Sequence, residues 1–133
     1  MTEPLMVETS ALVAILLEEP GWKPLAEQVV AANAFTTCVN VFEASLAIVR
    51  ERAVMPGAAY GIVLEAAARL DVEVTDYPAR ALPFAVSARE AFGSGRHGLN
   101  IGDCLSYGAA RCAGARLLYV DEDFARTDVN DPL

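Results

Sequence analysis

Glu8, Glu43, Asp103 and the pair Asp121/Asp123 each stand beside strongly apolar sequence, where an unpaired carboxylate is costly to bury. Glu8 ends the run Leu5-Met6-Val7 and precedes Thr9-Ser10. Glu43 lies in NVFEASL, Asp103 in NIGDCLS, and Asp121-Glu122-Asp123 follows LLYV. Carboxylates gathered in such surroundings repel one another unless a cation neutralises them. Oxygen-only ligands suit Mg²⁺ or Mn²⁺, which take one or two carboxylates directly and keep several waters. Such an ion activates water and stabilises charge on a phosphodiester during in-line displacement. Each acid also has a plainer local reading. Asn40-Val41-Phe42-Glu43 and Asn100-Ile101-Gly102-Asp103 have capping-box spacing, and first-turn acids complement a helix dipole. Glu8 fits a first turn too, and Asp121-Glu122-Asp123 fits an exposed turn. Their joint placement at strand ends and helix starts favours a shared site.

The elements that must position these acids alternate between short apolar runs and segments of helical period. Leu5–Val7 reads as a strand, with a helix capped by Ser10 through Leu17. Trp22–Ala32 reads as a second helix and Phe35–Cys38 as a strand. A helix from Asn40 to Arg52 follows, then an alanine-rich helix from Pro56-Gly57 to Leu70. Asp71–Thr75 alternates as a half-buried strand, and a helix runs from Pro78 to Phe92. Gly93–Gly98 is a loop, Asn100–Ala113 a helix, and Arg116–Val120 a buried strand. This order predicts an α/β fold with a parallel sheet between helices. Ligands collect at the carboxyl rim of such sheets, near the switch point of strand order. Glu8 and Asp121 both follow strand ends.

Composition sets the outer limits. The 133 residues suit one domain spanning residues 1–133, and 54 % apolar content with 21 % charged supports a packed core over disorder. No run approaches the about 20 apolar residues of a membrane helix. MTEPLM lacks a basic signal-peptide start, and three cysteines without framework spacing suit a reducing, cytoplasmic setting. A net charge of −8 disfavours nonspecific attraction to nucleic acid, so any nucleic-acid partner requires a local basic path. Arg89, Arg96 and His97 border the glycine-rich loop, and Arg50 and Arg52 follow the Glu43 helix. A thiol enzyme using Cys104 and His97 lacks an apparent orienting residue. A zinc site from Cys38, Cys104, Cys112 and His97 lacks a close-spaced ligand pair.

Taken in order, MVETSALVAILLEEP, TTCVNVFEASLAI, GLNIGDCLSYGAA and LLYVDEDFARTDV resemble the four motif regions of PIN-domain ribonucleases. They look most like the VapC toxins of bacterial toxin–antitoxin modules. The resemblance implies a PIN-like fold, a twisted parallel β-sheet flanked by helices, and Mg²⁺- or Mn²⁺-dependent endonucleolytic cleavage of RNA. It also implies a VapB-type antitoxin that binds near the active site, and a homodimer. Residue by residue, the family's first acid falls on Glu8, where aspartate is more usual, its second on Glu43 and its third on Asp103. The fourth region aligns Asp123, while Asp121 at the strand end can equally reach the metal. The hydroxyl after the first acid falls on Thr9 or Ser10, placed to orient a carboxylate. Glu8 and Asp103 are then the expected direct ligands, with Glu43 and Asp121/Asp123 acting through water or a second ion. The extra methylene of Glu8 moves its oxygens by ~1 Å, on the scale of one bond step. That departure leaves a second class open, a catalytically weakened PIN-like module that binds RNA or protein.

Overall fold

The computed structural model of the protein describes residues 2–96 and 98–131. His97, weighed above as a thiol-activating base and zinc ligand, lies outside them.

Leu5-Met6-Val7 offers no polar side chain to solvent, so it belongs at the centre of a sheet covered on both faces. Strand β1 (Pro4–Val7) occupies that place, and all three residues are fully buried. Its parallel neighbours are β2 (Asn33–Thr37) and β4 (Arg116–Leu118), and β3 (Glu73–Thr75) lies beyond β2. The order is therefore β3-β2-β1-β4. The chain steps outward from β1 to β3 and then returns to the other side of β1. The switch point falls between β1 and β4, where Val7 pairs with Leu118.

Among the described residues, six helices cover the two faces: α1 (Thr9–Leu16), α2 (Trp22–Ala31), α3 (Cys38–Arg52), α4 (Pro56–Arg69), α5 (Leu82–Phe92) and α6 (Ile101–Ala113). Alternation along β1 divides the core. Leu5 and Val7 pack among Leu12, Ile15, Val41, Ile48 and Val63 of α1, α3 and α4. Met6 faces the other way, into Leu99, Tyr107, Leu117 and Phe124. Gly108 lets α6 approach the turn before α5, because a Cβ there would sit 2.8 Å from both the Ala81 carbonyl oxygen and the Tyr77 hydroxyl.

The element boundaries depart from the sequence pattern at identifiable hydrogen bonds. β4 stops at Leu118, because the amides of Val120 and Asp121 donate to the Ser10 hydroxyl at 2.9 and 3.1 Å, away from the ladder. β3 starts at Glu73, because the Val72 amide closes α4 on the Ala67 carbonyl and Asp71 turns with φ 56°. Pro78 leads first into a 3₁₀ turn, Ala79–Ala81, before α5. The outer edge of β4 is closed by the Asn130 amide, which accepts from Leu117 N (2.7 Å) and donates to Leu117 O (3.0 Å). Among the described residues, no helix is long and apolar enough to cross a membrane.

Candidate active site

Glu8 follows β1 directly, and its amide donates to Leu118 O at 3.0 Å, continuing the pairing onto the rim. Its side chain folds back over the start of α1. Oε2 accepts from Ser10 N at 2.8 Å and from Ser10 Oγ at 2.5 Å. Glu8, not Ser10, is therefore the cap of α1. Ser10 instead joins two segments, because its hydroxyl donates to Glu8 while accepting the Val120 and Asp121 amides. Asp121 in turn accepts from Asp123 N at 3.0 Å and opens the 3₁₀ turn Glu122–Arg126. That turn is anchored by Phe124, buried in the core with its ring 5.2 Å from that of Tyr119.

The Asn100 motif forms the capping box its spacing implies. Asp103 N donates to Asn100 Oδ1 at 2.8 Å, and Asn100 N donates to Asp103 Oδ2 at 3.1 Å. The Asn40 motif does not. Thr37, at the end of β2, caps α3 three residues earlier, which places Asn40 inside the helix and buries it. Glu43 is released from a capping role, and Oε1 accepts from Thr9 Oγ1 at 2.9 Å. Oε2 lies over the start of α6, so close that a Cβ on Gly102 would fall on it.

Four chain segments thus bring Glu8, Thr9, Ser10, Glu43, Asp103, Asp121 and Asp123 to one rim. Carboxylate oxygens of Asp103, Asp121 and Asp123 lie within 4.8 Å of one another. Burial, resisted by the two Ser10 hydrogen bonds and reinforced by Asp103 and Glu43, pushes the Glu8 carboxyl up to about 7. Burial likewise pushes Asp103 up to about 6, against the Asn100 amide and with the charges of Asp123 and Asp121 adding to the rise. Among the described residues no lysine or arginine pairs with Glu8, Glu43 or Asp103; Arg69, Arg111 and Arg116 pair with Glu65, Asp128 and Glu3. Crowded carboxylate oxygens fit a hard divalent ion, with Asp103, Asp121 and Asp123 the nearest set of donors.

The basic residues separate. Arg89 donates to Leu99 O at 3.2 Å, tying α5 to the segment before α6. Arg96 lines a cleft of about 230 Å³ together with Phe92, Asp123 and Arg126. Arg126 was not singled out by sequence reasoning; its position three residues after the fourth acid was the available signal. Arg50 and Arg52 line a different cleft, with Leu17 and Glu19. Cys104 is buried, and burial pushes its thiol up, the opposite of an activated nucleophile.

Residues 5–130 match the family model of the PIN domain. Ribonuclease VapC30 of Mycobacterium tuberculosis is 34 % identical over 128 residues, covering 94 % of this chain and 95 % of that protein. A ribonuclease VapC of Mycolicibacterium smegmatis is 39 % identical over 129 residues, covering 94 % and 97 %. Among solved structures, VapC20 of M. tuberculosis, described as a sarcin-ricin loop cleaving toxin, superposes with TM-score 0.65 at 19 % identity, covering 91 % and 92 %. VapBC2 from Rickettsia felis, bound to a promoter DNA fragment, gives 0.68 at 15 % identity, covering 95 % and 94 %. These two likenesses concern the fold.

Proposed function

The chain belongs to the PIN-domain family, and from that premise we propose that it is the toxin of a VapBC-type toxin–antitoxin pair, a single-domain metal-dependent endoribonuclease. The observation that carries the reading is the convergence of Asp103, Asp121 and Asp123 oxygens within 4.8 Å beside a buried Glu8. These residues, with Glu43, would hold Mg²⁺ or Mn²⁺. When bound, the cation supplies Lewis-acid charge at the scissile phosphate and makes nearby water more acidic.

The protein's own groups do the positioning. Ser10 fixes the Glu8 carboxylate and the backbone that carries Asp121 with one hydroxyl. The Asn100 amide holds one oxygen of Asp103. Thr9 holds Oε1 of Glu43, and Oε2 packs over Gly102 at the start of α6, so both oxygens of that carboxylate have fixed positions beside the cluster. Because Glu8 and Asp103 hold protons tightly when the cation is absent, ion binding and deprotonation are coupled. Partners follow from the same family reading: an RNA substrate, a VapB-type antitoxin, and a second copy of the chain in a homodimer.

The test is RNA cleavage by purified protein with Mn²⁺ or Mg²⁺, followed over time. Cleavage that chelation stops and Asp103→Ala abolishes is expected. Wild-type protein that binds Mn²⁺ yet leaves total cellular RNA intact would overturn the enzymatic reading in favour of a binding module. Co-expression with the cognate antitoxin should suppress cleavage, and light scattering should give twice the chain mass.

A further inference from the structure

Asn40 is a side-chain amide with 1 % exposure inside α3, and every polar atom it has is engaged. Oδ1 accepts from Thr37 Oγ1 at 2.6 Å. Nδ2 donates to Ser106 Oγ at 2.9 Å and to Thr9 Oγ1 at 3.0 Å. The amide therefore ties together the end of β2, the start of α1 and the middle of α6. A hydroxyl carries one hydrogen. Once Thr9 Oγ1 accepts from Asn40, its hydrogen is committed to an acceptor, and that acceptor is Glu43 Oε1 at 2.9 Å. The other Glu43 oxygen is held against Gly102.

We propose that Asn40 is a positioning residue for the reaction: by setting the direction of the Thr9 hydroxyl, it fixes the orientation of the Glu43 carboxylate. The inference rests on the ribonuclease reading, in which Glu43 belongs to the site. It assigns α3 two polar tasks one turn apart, Glu43 facing substrate and Asn40 facing inward to steer it.

Asn40→Asp tests the polarity of this relay, because it keeps the shape and replaces the donor by an acceptor. Thr9 then donates to the introduced carboxylate, and Glu43 loses its partner. Turnover and Mn²⁺ affinity, the latter measured without RNA, should each fall about 10- to 100-fold, the range found for partners that orient ligands. KM for RNA should change little. In a Thr9→Val background the same substitution should cost nothing further, whereas a purely structural role predicts the same loss again. Ser45→Ala, which removes a buried α3 hydroxyl that donates to Val41 O within its own helix, should leave turnover intact. If Asn40→Asp folds and retains wild-type turnover and Mn²⁺ affinity, the proposal falls. If it does not fold, Thr9→Val carries the decision: unchanged turnover and affinity there also overturn it. Failure of Glu43→Gln to reduce cleavage would instead overturn the placement of Glu43 in the site.

Discussion

At the residue scale the site is defined by two carboxyls that hold protons unusually well. Glu8 lies near 7 against an ordinary 4.5, and Asp103 near 6 against 3.8. A carboxyl raised on folding contributes stability that is complete below its unfolded value and lost as pH rises through its folded value. The metal-free protein should therefore lose thermal stability between about pH 4.5 and 8. At about 1.4 kcal/mol for each tenfold change in proton affinity, the Glu8 share reaches about 3 kcal/mol. Mn²⁺ should restore the loss at pH 8 and add little at pH 5, where protons occupy the same oxygens. Calorimetric scans across pH, with and without Mn²⁺, measure both. Glu8→Gln should flatten the metal-free pH dependence and raise Tm at pH 8 above wild type, while lowering the stabilisation Mn²⁺ provides. A variant with the wild-type slope would show that Glu8 is not the group responsible. Glu8 and Asp103 stand out in the sequence because one ends an apolar run and the other closes an Asn-x-x-Asp cap, whereas Glu43 sits in the second turn of α3 and has no such local signature. The role of Asn40 was not legible, because its partners Thr9 and Ser106 lie 31 and 66 residues away.

At the scale of elements, the site depends on how closely α6 approaches α3. A Cβ on Gly102 would collide with Oε2 of Glu43, and the atom it meets is the movable end of a side chain. Alanine also favours helix over glycine by about 1 kcal/mol. Gly102→Ala should therefore leave Tm within a few degrees while displacing Glu43. A shift approaching 1 Å costs up to about 100-fold in rate. Parallel assays of cleavage and melting would separate the two effects, and loss of both together would argue against this account. The strand and helix order was readable from apolar runs, alternation and helical period, and the capping box at Asn100 from its spacing. The apparent box at Asn40 misled because two caps compete within four residues. Thr37 ends β2, and a residue leaving a strand with extended backbone (φ −96°, ψ 162°) already has cap geometry. Strand ends were likewise obscured by Ser10, whose hydroxyl takes amides that the apolar run Leu117–Val120 promised to the ladder.

For the whole molecule, a net charge of −8 and an acidic rim oppose RNA until cations intervene. Arg96 and Arg126 line a cleft with Asp123 beside that rim, so RNA crossing the site as proposed should meet them there. Replacing both by glutamine should raise KM for RNA several-fold and leave Mn²⁺ affinity unchanged. For single strands each lost phosphate contact reduces the salt slope of binding by about 0.7. Filter binding at several salt concentrations, with Ca²⁺ in place of Mn²⁺, gives that slope directly. An unchanged slope would remove these arginines from the RNA path.

The pairing of β1 with β4 carries a consequence in time. Residues 5–7 and 116–118 are neighbours in the sheet, so in synthesis the first of these two segments waits for the second. The amides that Ser10 collects belong to residues 120 and 121, and the third donor of the acidic cluster is Asp123. A chain still on the ribosome, at about 5–20 residues per second, carries Glu8 and Glu43 long before it has anything to assemble them with. The acidic cluster is therefore incomplete until residues 116–123 have been made, and it assembles when β4 closes on β1.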